Sequence, residues 1–310
     1  MSTTTNRAGF WSDTVWSAID TAVTGTVGAI RVAQKVFQAT PLTGVTSVPA
    51  DVFDPATMTI EEGTTRPYVE LARRFSLTNG QVNDDPNGTT ATTLATLAAR
   101  TVAVAEDITI LRGTRHLPPE IDVESGRAAA HQGILDLVQG NPIRVNGPAA
   151  GTPLNSGGEI LAAITEGIAR LTREGQTMPW ALIADTESFA AMWGSLINGA
   201  PTYNVLTQLV TGGIYSTDAM PRHTALLAGT GGNPTTIYYD TDATTEPTTR
   251  LVQGRFSFRI FERIQFVARD QRAFVILDFS YLNVQQGQGP QGPAQGQGQG
   301  QRRERQTHNE

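Results

Sequence analysis

The sequence contains no cysteine, which excludes disulfides, thiolate metal sites and a cysteine nucleophile and leaves the redox compartment unmarked. Lysine is nearly missing too: Lys35 is the only one among 23 basic residues, a bias that a GC-rich coding sequence explains. No stretch approaches the roughly 18 consecutive apolar residues of a membrane span. The amino-terminal region is interrupted by Asp13, Asp20 and Arg31 and has no secretory apolar core, so a soluble, cytoplasmic protein without a membrane partner is expected. A net charge of -6 offers no basic footprint for a phosphate backbone, and direct nucleic-acid recognition is not expected.

Chemistry is equally sparse. His116, His131, His223 and His308 show neither HxxxH nor HxH spacing, and no metal site or cofactor is expected from them. Asp84 with Asp85, and Asp240 with Asp242, lack calcium-loop spacing and read as turn or cap residues. The glycines of 229–233 lack the GKS/T ending of a phosphate loop and suit a hairpin turn. There is no GxSxG elbow or SxxK set, and Glu106 and Asp107 are neighbours on a helix, where adjacent side chains point apart. No catalytic set emerges, and the chain is not expected to be an enzyme.

What is present is a folding chain, with 310 residues and 39% hydrophobic content, enough for one large core or two modest ones. From Ser12 to Phe37, residues Val15, Trp16, Ile19, Val23, Val27 and Ile30 recur at spacings of three and four, one apolar stripe on a helix. Residues 45–53 and 66–77 read as extended, with Val69, Leu71, Phe75 and Leu77 alternating against polar neighbours. The turn-rich stretch between them makes the pair a long two-stranded arm, which cannot form a core by itself. A strong helix follows over 88–112, with Leu94, Leu97, Ala98, Thr101, Val102, Ala105 and Ile108 on its inner face, Asn87 or Thr89 as cap and Gly113 as stop. Residues 114–153 read as irregular.

A second unit opens at Ser156, where Glu159 completes a capping-box pattern ahead of a helix that ends at Gly175. Strands over 179–184, 224–228 and 235–239 and helices over 186–197 and 203–210 give the mixed order of an α+β fold. Two long strands occupy 256–266 and 273–279. Residues 284–310 are a Gln/Gly/Pro tail whose composition predicts disorder.

This order of elements resembles the encapsulin (linocin-like) family of nanocompartment shell proteins. The resemblance is carried by Trp16-Ser17-Ala18-Ile19-Asp20, by Gly44 to Pro49, by Ala103 to Asp107 with Gly113, by Gly175 to Leu182, by Gly212 to Ser216 and by Phe258-Arg259-Ile260. It implies a Hong Kong 97-like major capsid protein fold, with an amino-terminal arm and helix over 1–45, an extended E-loop over 46–75 and a P-domain over 76–155 holding the spine helix. It further implies an A-domain over 156–230 and returning strands of the P-domain over 231–283. The function implied is that of a structural shell protein: a homo-oligomer of many copies self-assembles into an icosahedral container around a cargo protein. By the same resemblance Val52, Phe53, Tyr68, Val69 and Leu71 are expected at contacts between subunits. Trp16, Ile19, Val23 and Ile30 are expected at lumen-facing or cargo-docking positions, although they would serve equally to pin the helix to its own domain. The arm contains no lysine, so the lysine–asparagine crosslink of some phage capsids is not expected.

Two other readings stay open. A phage major capsid protein shares the fold, would sit in a virion and would have double-stranded DNA as its partner. A soluble α+β enzyme or binding module would instead form a small oligomer.

Overall fold

The computed structural model describes residues 7, 9–54, 57–61, 64–124, 131–138, 140–147, 156–252 and 254–281. The tail over 284–310 lies outside the described residues. In chain order the elements begin with α1 (Asp13–Ile30), α2 (Ala33–Val36), β1 (Gln38–Pro41), β2 (Ser47–Pro49), β3 (Val52–Asp54), β4 (Thr59–Glu61), β5 (Thr65–Pro67) and β6 (Val69–Thr78). Then come α3 (Asn79–Asn83), α4 (Thr89–Arg112), β7 (Asp122–Glu124), α5 (Ile134–Leu137), β8 (Ile143–Arg144), α6 (Gly157–Arg173), β9 (Trp180–Ala184) and α7 (Thr186–Gly194). The remainder is β10 (Leu196–Ile197), β11 (Ala200–Pro201), α8 (Thr202–Leu209), β12 (Ile214–Ser216), β13 (Thr224–Gly229), β14 (Thr235–Val252), β15 (Arg255–Ala268) and β16 (Phe274–Asp278).

Two five-stranded sheets organise these elements. The first runs β1-β14-β15-β6-β7 and is antiparallel apart from the β1–β14 pair. The second runs β12-β9-β13-β16-β8. The strand predicted over 235–239 continues to Val252, its register against β15 shifting at three places, which lets so long a hairpin bend over the helices. β8 and β16 both join the second sheet, although the resemblance put their segments with the first unit. β16 goes there because Ala225 to Ala228 offer it an open strand edge, pairing with Leu277 to Phe274.

The arm is shorter than predicted. β2 pairs with β5 and β3 with β4, so the ribbon ends at Pro67. β6 instead lies along β15, from Val69 opposite Ile264 to Thr78 opposite Arg255. The alternation read over 66–77 is therefore that of a core strand: Val69, Leu71 and Leu77 face inward and are buried.

Helix α4 crosses the first sheet with α1 packed beside it. Its buried face is built chiefly of Ala91, Ala95, Ala98, Ala99, Val102, Ala103 and Ala105. Leu97, expected inside, is 51% exposed, because alanines let α1 and the sheet approach too closely for a leucine there. The cap also differs: neither Asn87 nor Thr89 supplies it, and Asp85 accepts from the Thr90 N–H at 2.7 Å. Gly113 ends the helix at φ +84, and a Cβ there would stand 2.2 Å from the His131 carbonyl. Ser156 precedes α6 without capping it, since its hydroxyl bonds Tyr281 Oη at 2.9 Å.

One core lies between α1, α4 and the first sheet, another between the second sheet and α6 to α8. A third, with Phe37, Ile110, Ile183, Leu226, Phe266 and Phe274, joins them. Among the described residues no helix is long and apolar enough to cross a membrane.

Phe258 is fully buried at the centre of the first core, 5.2 Å from the Phe10 ring, 5.5 Å from Trp11 and 5.4 Å from the stacked Phe75. Phe258→Ala is expected to cost about 3–5 kcal/mol by leaving a cavity that this ring cluster cannot close. Urea denaturation of wild type and variant measures it.

Candidate functional site

Two surfaces stand out, a groove along α1 and the ribbon, and a buried charge cluster fixes where α1 lies.

The apolar stripe of α1 faces inward. Trp16, Ile19 and Val23 are buried in the first core and Ile30 is half-buried, so these four positions hold the helix on its own domain. The outer face is left to Ser17, Thr21, Thr24, Gly25 and Gly28. That face borders a groove of about 630 Å³, lined by Arg7, Trp16, Asp20, Thr21, Thr24 and Gly25 among others. Arg7 shapes its rim: its guanidinium bonds both Asp20 oxygens at 2.6 and 3.0 Å, lies 4.7 Å from the Trp16 ring centre and donates to the Thr245 carbonyl at 2.5 Å. Trp16 Nε1 returns a bond to the Arg7 carbonyl at 3.3 Å. The residues that matter on this surface are small and polar, and helical periodicity, which finds apolar stripes, does not single them out.

The ribbon divides the arm positions differently from the expectation. Val52 and Phe53 lie on it and are half-buried; the Phe53 N–H donates to the Arg269 carbonyl at 3.0 Å, and Arg272 stands 6.0 Å from the Phe53 ring. Tyr68, Val69 and Leu71 are 2%, 0% and 0% exposed and belong to this chain's own core, so they are not available to another copy. The Tyr68 hydroxyl is spent on the Leu42 carbonyl at 2.5 Å. Toward the tip the apolar side chains find no cover: Met58 is 76% and Ile60 61% exposed.

Arg31, the residue at which α1 ends, anchors this whole region. Its buried guanidinium pairs with Glu106 of α4, with Glu262 of β15 and, at 2.7 Å, with Asp242 of β14. Burial opposes its charge, but Glu262, Glu106 and Asp242 outweigh that and hold it cationic. Asp107 faces the other way, accepting from the N–H groups of Val32 and Ala33 at 2.8–3.1 Å. Gln34 bonds Glu106 at 2.7 Å. Adjacent residues of α4 thus point apart, as helical geometry requires, and each finds a different partner.

One guanidinium cannot neutralise all these carboxylates. Burial, then the charge of Glu262, pushes Glu106 well above the ordinary carboxylate range. Burial lifts Glu262 to about 7 against the pull of Arg31, and Asp107 to about 6 against the bonds from Ala33 and Val32. Such acids hold a proton more tightly folded than unfolded. Their contribution to stability is complete below the ordinary carboxylate value near 4.5 and is lost as pH rises through about 7. Urea midpoints are therefore expected to fall between about pH 5 and about pH 8, and Glu262→Gln to flatten that decline. An unchanged slope in the variant contradicts the assignment.

The family Linocin_M18, described as encapsulating protein for peroxidase, matches residues 7–246. Among solved structures, the virus-like particle from Pyrococcus furiosus is similar with a TM-score of 0.64 at 15% identity, over 85% of this chain and 99% of that one. A chain of Gordonia phage Cozz gives 0.55 at 12% identity, over 80% and 86%. The SrpI encapsulin complex from Synechococcus elongatus gives 0.51 at 12% identity, over 79% and 86%. At these identities the likeness is one of fold. No curated protein sequence matches the chain.

Proposed function

The chain belongs to the encapsulating-protein family that matches its residues 7–246, and from that premise we propose that many copies assemble into a closed icosahedral shell around a cargo protein. The fold is the Hong Kong 97-like one shared by encapsulins and tailed-phage capsids. In this reading the ribbon over 46–67 is the E-loop, the first sheet with α4 is the P-domain, and the second sheet with α6 to α8 is the A-domain. The protein works by enclosing and not by catalysis.

The observation that carries the proposal is the ribbon. A two-stranded ribbon gains little stability alone, and this one keeps Met58 and Ile60 in solvent beside open strand edges. A neighbouring copy supplies both the missing apolar surface and main-chain partners. Closed symmetry repeats the contact until no ribbon is left uncovered. Exposed substitutions of this kind cost the lone subunit about 0.5 kcal/mol or less. Met58→Asp combined with Ile60→Asp is therefore expected to leave a folded, soluble subunit and abolish particles in size-exclusion chromatography. Normal particles from that variant refute the ribbon's role.

The groove along α1 is the proposed seat of a cargo segment. Gly25 sits on its wall, and a Cβ there meets nothing within 4 Å. Gly25→Leu is expected to fill the groove, add up to about 1 kcal/mol of helix propensity and leave the shell intact. The protein content of particles purified from the native host should then fall sharply. Unaltered loading places the cargo contact elsewhere.

A further inference from the structure

Away from the ribbon and the groove, the described residues contain one place where three metal-ligating side chains converge. Asp185, Glu187 and His223 each bring a ligand atom within 4.8 Å of the other two. Asp185 and Glu187 are near neighbours at the start of α7, His223 is remote from both in sequence, and the second sheet brings it to them. β9 and β13 run antiparallel with Ala184 opposite Ala225, so the residue after one strand and the residues before the other share one sheet end. Asp185 N–H donates to the Thr224 carbonyl, and Thr224 N–H to Asp185 Oδ1, both at 3.1 Å. The His223 carbonyl accepts from Phe279 at 2.8 Å. The main chain on both sides is thereby held.

The side chains are not equally satisfied. Asp185 caps α7, accepting from Ser188 N–H on Oδ1 at 3.3 Å and from Glu187 N–H on Oδ2 at 3.1 Å. With the Thr224 bond this occupies three of a carboxylate's roughly four acceptor positions and leaves one on Oδ2. Glu187 gives Oε1 to Arg222, while its Oε2 is buried with no hydrogen-bond partner. His223 is 5% exposed, and neither Nδ1 nor Nε2 has a hydrogen-bond partner among the described residues. Its Nε2 lies 3.3 Å from Glu187 Oε2 without hydrogen-bond geometry. Bonds of about 2.0–2.2 Å to a tetrahedral zinc ion separate neighbouring ligand atoms by about 3.3–3.5 Å, which is the spacing of this pair.

We propose that Asp185, Glu187 and His223 form a binding site for a divalent first-row transition metal, best matched by Zn²⁺, with water completing the coordination. One imidazole and two carboxylates are suitable ligands for such an ion, and the two negative charges balance it. They also offset the partial positive charge at the start of α7. Arg222 on the second oxygen of Glu187 orients that carboxylate, the outer-sphere role common around bound metals. The ion clamps the α7 start to the turn ahead of β13. Being contained in one chain, the site is independent of the shell assignment.

The test uses full-length protein without an affinity tag, stripped with EDTA, titrated with ZnCl₂ by calorimetry and with Co²⁺ by visible absorption. Wild type is expected to bind one Zn²⁺ per chain and to give a Co²⁺ spectrum of low coordination number. His223→Gln and Glu187→Gln should each weaken binding at least tenfold; Glu187 is partly exposed, so its variant keeps the fold if the buried histidine does not tolerate change. Absence of stoichiometric Zn²⁺ binding overturns the proposal. So does binding that survives both variants, or that is lost instead in His308→Ala.

Discussion

Arg31 is the residue on which the rest of this structure hangs. It closes α1, and its guanidinium reaches α4 through Glu106, β15 through Glu262 and β14 through Asp242. Those elements make the first sheet and its helical cover. Removing the cation strands the buried carboxylates of Glu106 and Glu262, a loss of about 3–5 kcal/mol for a broken buried pair. The same cluster turns the chain sharply at Val32, where Asp107 receives two main-chain N–H groups and starts α2. The direction of the chain into β1, and so the place where the ribbon emerges, follows from that turn.

The ribbon is the part this arrangement leaves unfinished. Val48 and Ala50 at its root pack with Tyr68 and Val267, but toward the tip Met58 and Ile60 stay exposed among the described residues. A shell protein must balance two demands: a subunit stable enough to fold first, and a surface costly enough in water to drive association. The buried root meets the first, and in the proposed assembly the bare tip meets the second. Leu97, left outside on α4 by the alanine packing beneath it, adds to the apolar surface that a lone copy exposes.

Periodicity was a good guide wherever one element buries one face. The stripe of Trp16, Ile19 and Val23, the helices from Thr89, Gly157, Thr186 and Thr202, and the longer strands β6, β9, β13, β15 and β16 were legible, whereas the short β1, β7, β8 and β12 and the second half of β14 were not. It misled where partner identity decides. The alternation of β6 was the same whether its mate was the arm or β15, and only the tertiary pairing distinguishes them. On α4 helical spacing admits Leu97 to the inner face, whereas the face that is buried is built chiefly of alanine. The Ser156 pattern was that of a capping box, yet its hydroxyl had a better partner 125 residues away. The Arg31 cluster and the convergence of Asp185 and Glu187 with His223 depend on strand register and chain crossing, which carry no local signal at all.

In the proposed shell the uncovered ribbon is completed only by a neighbouring copy in a closed assembly. Electron microscopy of the purified full-length protein tests it most directly. The prediction is closed particles of uniform size with icosahedral symmetry, each ribbon lying across a neighbouring subunit. Monomers or small open oligomers, with the ribbon still facing solvent, would contradict it.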